Sequence, residues 1–115
     1  MNAHSPDRFR DARTWLLARA AELRDRLQRV RSDLRRAREP LPRDSADAAI
    51  TLENDEVLEA LERTAARELD LIHAAQERME EGVFGLCIRC AGDIDVRRLR
   101  TVPYAPFCRD CGPEG

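Results

Sequence analysis

The stretch Gly82–Gly112 reads GVFGLCIRCAGDIDVRRLRTVPYAPFCRDCG and holds all four cysteines of the 115-residue chain. They stand as Cys87-x2-Cys90 and Cys108-x2-Cys111, with 17 residues between the pairs. A C-x2-C turn aims two sulfurs at one point. A zinc ion takes four ligands at tetrahedral corners, so two such turns complete its shell. Two disulfides or a redox dithiol are the alternatives for four cysteines. No secretory segment is read in the sequence, which points to a reducing, cytoplasmic setting and so to one structural zinc held by Cys87, Cys90, Cys108 and Cys111. Four thiolates leave no open coordination position for a catalytic water, and no other arrangement of nucleophile and base stands out, so no enzymatic activity is expected. Between the pairs, Ile94, Val96, Leu99, Val102 and Phe107 supply a mini-core too small to fold without the metal. Arg97, Arg98 and Arg100 are candidate contacts to a phosphate or an acidic protein surface, or they balance the charge of a four-thiolate zinc centre.

Upstream of this stretch the chain is helical in pattern. Gly82 supplies a left-handed helix stop. The preceding helix is expected over about 45–81, with a seam of Ile50, Val57, Leu61, Ala65, Leu69, Ile72, Met79 and Val83, interrupted by Asn54 and Gln76. The steps 57-61-65-69 are three consecutive fours, which predicts a stutter in the supercoil. A first helix is expected over about 6–38, opened by Ser5-Pro6 as cap and first helical position. Phe9, Leu16, Leu23, Val30 and Ala37 recur every seven residues there, with Ala20, Leu27 and Leu34 as the second seam position and Arg13 as a break. Trp15 and Leu17 lie beside that seam near its start. Glu39-Pro40-Leu41-Pro42 ends the first helix. A connection of about six residues folds two long helices back on each other. The fold class expected is therefore mainly α: a long antiparallel two-helix coiled-coil hairpin over 1–81, its tip at 39–47, followed by a four-cysteine zinc-finger module over 82–115.

Composition agrees with that outline. Charged residues make up 37% and aromatics 4%, which suits surface-rich helices with a narrow apolar seam more than a broad core. All 20 basic residues are arginine. Residues 1–43 carry 12 Arg against 6 acids, a net +6, while residues 44–82 carry 3 Arg against 12 acids, a net −9. A basic helix followed by an acidic one reads as a mutually attracting pair, and the acidic partner cancels the field through which the first would bind nucleic acid. No apolar run approaches the length of a membrane span, and a monomer is expected. At the tip, Asp44 and Asp47 fall in the first turn of the second helix. As an N-cap and a third-position acid they suit the helix's positive end, and they are also placed to be delivered into a narrow opening. His4 and His73 lack metal-ligand spacing.

From about Arg38 to Gly112 the chain resembles the DksA/TraR-type zinc-finger proteins of bacteria. The resemblance rests on Gly82-x-Phe84-Gly85-x-Cys87-x2-Cys90, Ile94, Arg98-Leu99, Pro103-x-Ala105 and Cys108-x2-Cys111, and on the tip pattern Asp44, Asp47, Ala49. It implies a transcription regulator that binds RNA polymerase directly, without sequence-specific DNA binding, and inserts its hairpin into the secondary channel. Asp44 and Asp47 would then act near the active-site region, with Ala49 allowing close packing. A DNA-binding zinc finger and a Gre-like factor acting on elongation are the alternative readings. Two departures stand out. Ala91 follows the second cysteine where the family has glycine, with Gly92 next. Leu71, Val102 and Gly112 occupy positions that are basic in members binding guanosine tetraphosphate, so a response to that nucleotide is not expected.

Overall fold

The computed structural model describes residues 9–37 and 45–112, with side chains described from residue 54 onward in the second stretch. Two long helices, α1 over Arg10–Ala37 and α2 over Ser45–Glu81, are followed by a short helix, α3, over Val96–Thr101. Leu86 and Asp93 form an isolated antiparallel bridge. The fold is mainly α, a two-helix hairpin with a small four-cysteine module. The α-helix begins at Arg10, after Phe9 in a 3-10 turn, and the expected Ser5-Pro6 start lies outside the described residues. By packing, the chain forms two compact units. One joins residues 1–20 to 70–115, and the other spans Ala21–Leu69.

Within the Ala21–Leu69 unit, α1 buries Leu23, Leu27, Val30 and Leu34. These continue the 4-3 rhythm of Leu16 and Ala20, which are buried in the other unit. Every residue expected in the α1 seam between 16 and 34 is there, because leucines at both seam positions leave a helix one apolar face to bury. Arg13 lies on the surface.

The α2 seam differs from its expectation. Val57 and Leu61 are 58% and 46% exposed, whereas Ala65 and Ile72 are buried and Leu58, Glu62, Leu69, Gln76 and Met79 are half-buried. The seam therefore runs Leu58, Glu62, Ala65, Leu69, Ile72, Gln76, Met79 in unbroken steps of four and three, and the expected stutter is absent. Phase decides the matter. Once Ala65, Leu69 and Ile72 face inward, the heptad reaches Glu62 and not Leu61. Glu62 is tolerated because Arg31 on α1 donates its Nε–H to the Glu62 carboxylate at 2.8 Å. An ion pair this exposed contributes at most about 1 kcal/mol, but it lets a carboxylate sit at the edge of an apolar seam. Ile50 falls outside the described side chains, and Val83 is exposed just beyond the helix.

Candidate metal centre

The module begins where α2 stops. Gly82 takes φ +79°, its N–H reaches the Met79 carbonyl at 3.2 Å, and the Val83 N–H reaches the Arg78 carbonyl at 2.9 Å. This pair of bonds is a Schellman stop, satisfying two carbonyls of the last turn while a left-handed glycine turns the chain. Three residues on, Gly85 takes φ +88°, and a Cβ there would sit 3.0 Å from Phe9 Cζ. Only glycine lets the ring of Phe9 close over this turn. Phe9 and Phe84 meet edge to face, with ring centroids 4.8 Å apart.

The first cysteine pair is held by backbone bonds. The Cys87 N–H reaches the Gly92 carbonyl at 2.7 Å, and the Ala91 N–H returns to the Cys87 carbonyl at 2.8 Å. The N–H groups of Arg89 and Gly92 point at the sulfurs of Cys87 and Cys90, each at 3.4 Å. Closing so tight a loop puts Ala91 at φ +64°, a left-handed conformation that a Cβ disfavours. The second pair is built alike, with the N–H groups of Cys111 and Gly112 both reaching the Cys108 carbonyl, at 3.2 and 2.9 Å. The Ile88 N–H donates to the Pro106 carbonyl at 3.0 Å, so the two cysteine turns are stitched directly.

These turns converge the four expected residues. The sulfurs of Cys87, Cys90, Cys108 and Cys111 all lie within 4.8 Å of one another, and the Cys90 and Cys108 sulfurs are 3.8 Å apart. All four are free thiols. Ligands about 2.3 Å from a shared tetrahedral ion stand about 3.8 Å from each other, so the cluster fits a metal bound by four thiolates. The crowding also splits the thiols electrostatically. Burial pushes the Cys87 thiol up, but backbone hydrogen bonds from Cys108, Cys90 and Arg89 outweigh it and hold the thiol down at about 6. Hydrogen bonding to Cys108 and Cys90, with burial added, pushes Cys111 up to about 12. In effect one corner of the cluster keeps a negative charge while another keeps its proton.

Around the cysteines, the expected mini-core is corrected in part. Ile94 and Leu99 are buried, together with Phe84 and Ala105. Val96, however, is 51% exposed, and Val102 and Phe107 are half-buried. Helix α3 explains the change. Asp95 caps it, accepting a hydrogen bond from the Arg97 N–H at 2.8 Å, and within the helix Leu99 is buried while Val96, its first residue, stays exposed. The aspartate before an apolar-spaced Val-x-x-Leu was the signal for this helix.

The three candidate arginines separate by role. Arg98 donates from Nε to the Phe107 carbonyl at 3.2 Å and so ties α3 to the second cysteine turn. Arg97 and Arg100 are exposed. Arg89 was not singled out by sequence, yet it lies 4.9 Å over the Phe107 ring and donates to the Cys111 carbonyl at 3.0 Å. Of the two residues beside the α1 seam, Trp15 stacks at a tilt against Tyr104 with centroids 6.1 Å apart, whereas Leu17 is exposed. His73 is exposed on α2. Among the tip residues, Asp44 lies outside the described residues. Asp47 and Ala49 fall in the first turns of α2, and their side chains lie outside the described ones. Among the described residues, no helix is long and apolar enough to cross a membrane.

An antiparallel helical hairpin with a convergent four-cysteine module, able to hold a metal, defines a class of small α-proteins. Within it, residues 13–79 match the family described as the DnaK suppressor protein-like, N-terminal domain, and the chain belongs to that DksA-like family. An uncharacterised protein of Aquifex aeolicus is 33% identical over 73 residues, which cover 64% of this chain and half of that relative's own length. The structure of the transcription factor DksA2 from Pseudomonas aeruginosa superposes with a TM-score of 0.79 at 29% identity, covering 96% of this chain and 85% of the other.

Proposed function

We propose that the protein is a transcription regulator that binds RNA polymerase directly and presents its helical hairpin to the secondary channel. The observation that carries this reading is the match of nearly the whole chain, hairpin and module together, to a protein described as a transcription factor. Asp47, in the first turn of α2, and Asp44 before it would be the groups delivered to the polymerase, with Ala49 allowing close approach. Carboxylates near a catalytic centre act through charge, so they alter the stability of transcription complexes without chemistry of their own. Under this reading the protein is a regulator and not an enzyme, and it works in the cytoplasm beside its polymerase.

Cys87, Cys90, Cys108 and Cys111 would hold one structural zinc. The metal supplies the folding energy that the small core around Ile94 and Leu99 lacks. Exposed Arg97 and Arg100 remain available for acidic partner surfaces, while Arg98 serves the module's own structure. No sequence-specific DNA contact is part of the proposal, and Leu71, Val102 and Gly112 provide no cationic site for guanosine tetraphosphate.

The deciding experiment is in vitro transcription with Asp47→Asn. The variant is expected to keep wild-type metal content, helicity and capture on core RNA polymerase while losing the effect on initiation. Full regulation by the variant would reduce the tip acids to a helix cap, and failure of the wild-type protein to bind core polymerase would remove the reading altogether.

A further inference from the structure

In the Ala21–Leu69 unit, Asn54, Val57, Leu61 and Thr64 follow along α2 at steps of three, four and three, with Ala60 beside them. All five are exposed. They make an uncharged stripe in a chain of which 37% is charged. The stripe flanks the seam, one residue before each of its members. Heptad position makes it unusual: Leu61 is equivalent to Ala75, which is fully buried within its own unit two heptads later. The same flank of α2 is thus covered in one place and bare, with a valine and a leucine, in another.

What the stripe fits is written in its borders. Exposed Glu56 lies toward its N-terminal end, and exposed Arg63 and Arg67 toward its C-terminal end, with Ala60 between them. A second α2 laid antiparallel across Ala60 sets Glu56 of each copy against Arg63 of the other, and lets Val57 and Leu61 interlock with the partner's Leu61 and Thr64. A parallel copy would set acid against acid. The small side chain at the crossing allows the two backbones to approach closely. A surface that matches itself under a two-fold rotation is the signature of an isologous contact.

We propose that a second copy of this chain docks on the Val57–Thr64 stripe of α2, antiparallel about Ala60. The contact is small beside the roughly 800 Å² per partner of a standard interface, so the association is weak, with a Kd on the order of 10 µM to 1 mM. The monomer expected from sequence becomes the dilute limit of a concentration-dependent equilibrium. This inference stands on its own residues and does not rest on the polymerase reading.

Sedimentation equilibrium of the full, metal-loaded chain between about 5 and 500 µM tests it. The expected result is a mass that rises toward the dimer with concentration. Leu61→Glu should weaken association at least about tenfold, since it sets two like charges at an apolar contact. Arg63→Glu should weaken it as well, and adding Glu56→Arg should restore it, because the cross pairs are then reversed but intact. Leu17→Glu, at an exposed leucine of α1 that is not part of the stripe, should change nothing. Circular dichroism confirms that each variant folds. A chain that stays monomeric at the highest concentration overturns the proposal, and so does association indifferent to Leu61→Glu. A monomer whose capture on core RNA polymerase falls with Leu61→Glu also overturns it, assigning the stripe to the polymerase instead.

Discussion

The α1–α2 seam and the cysteine module are held by opposite means. The seam within Ala21–Leu69 is repetitive: the same few side-chain types recur at steps of three and four, and stability accumulates along its length. In the module almost nothing repeats. Two left-handed glycines, one left-handed alanine and several backbone hydrogen bonds each appear once, and four sulfurs share one point. A periodic structure degrades gradually when one member is lost. A structure closed around a single centre fails as a whole, because each turn is ordered only by its convergence with the others.

Removal of the metal separates the two regions most strongly. Chelation, or Cys108→Ser, should unfold the module while far-ultraviolet circular dichroism keeps most of its helical signal. Apparent zinc-binding energies of about 10–16 kcal/mol in small modules set the scale. Proton competition adds a pH dependence with a definite sign. Cys111, held up at about 12, must surrender a proton to the metal at neutral pH, whereas Cys87, held down at about 6, has already lost its own above that pH. Zinc affinity should therefore fall as pH is lowered, and a competition titration with a chromogenic chelator at pH values of about 6 and 8 measures the difference. Affinity independent of pH would contradict thiolate ligation.

Within the seam, Leu23→Ala should cost about 2–5 kcal/mol in a denaturant titration, since Leu23 is fully buried, whereas exposed Leu17→Ala should cost no more than about 0.5 kcal/mol. Equal effects would mean that the seam does not carry the stability. A smaller loss of about 1–3 kcal/mol is expected for Gly85→Ala, which meets both a φ of +88° and the Phe9 ring at 3.0 Å. A further effect runs the other way. Ala91→Gly relieves a left-handed alanine and should stabilise the metal-bound module by about 1 kcal/mol, read as a rise in its thermal midpoint.

How legible each region was follows from the same contrast. The α1 seam could be read residue by residue because leucines occupy both heptad positions without competition. On α2 the pairs Val57-Leu58 and Leu61-Glu62 offered two phases, and hydropathy alone chose Val57 and Leu61. The phase set by buried Ala65 and Ile72 further along α2 puts a carboxylate in the seam in place of a leucine, and the pairing of Arg31 with Glu62 makes it tolerable. The four cysteines announced their convergence through spacing, since two short turns have little freedom in where they aim sulfur. Their supports were far less visible. Neither Arg89 above Phe107 nor Phe9 against Gly85 has a local pattern, because each depends on a partner distant in sequence. The departure at Ala91 was visible as a residue type, and its left-handed backbone gives the departure a physical cost.

The ring of Phe9 resting on Gly85 has a consequence for the order of events during synthesis. Phe9 leaves the ribosome long before Phe84 and Gly85 are made, so this wall of the module has to wait for the floor it covers. Contacts so far apart along a chain close late and slowly. Metal capture by the cysteine turns would need only residues 87–111, so it would come first and the aromatic contact would seal a centre already formed.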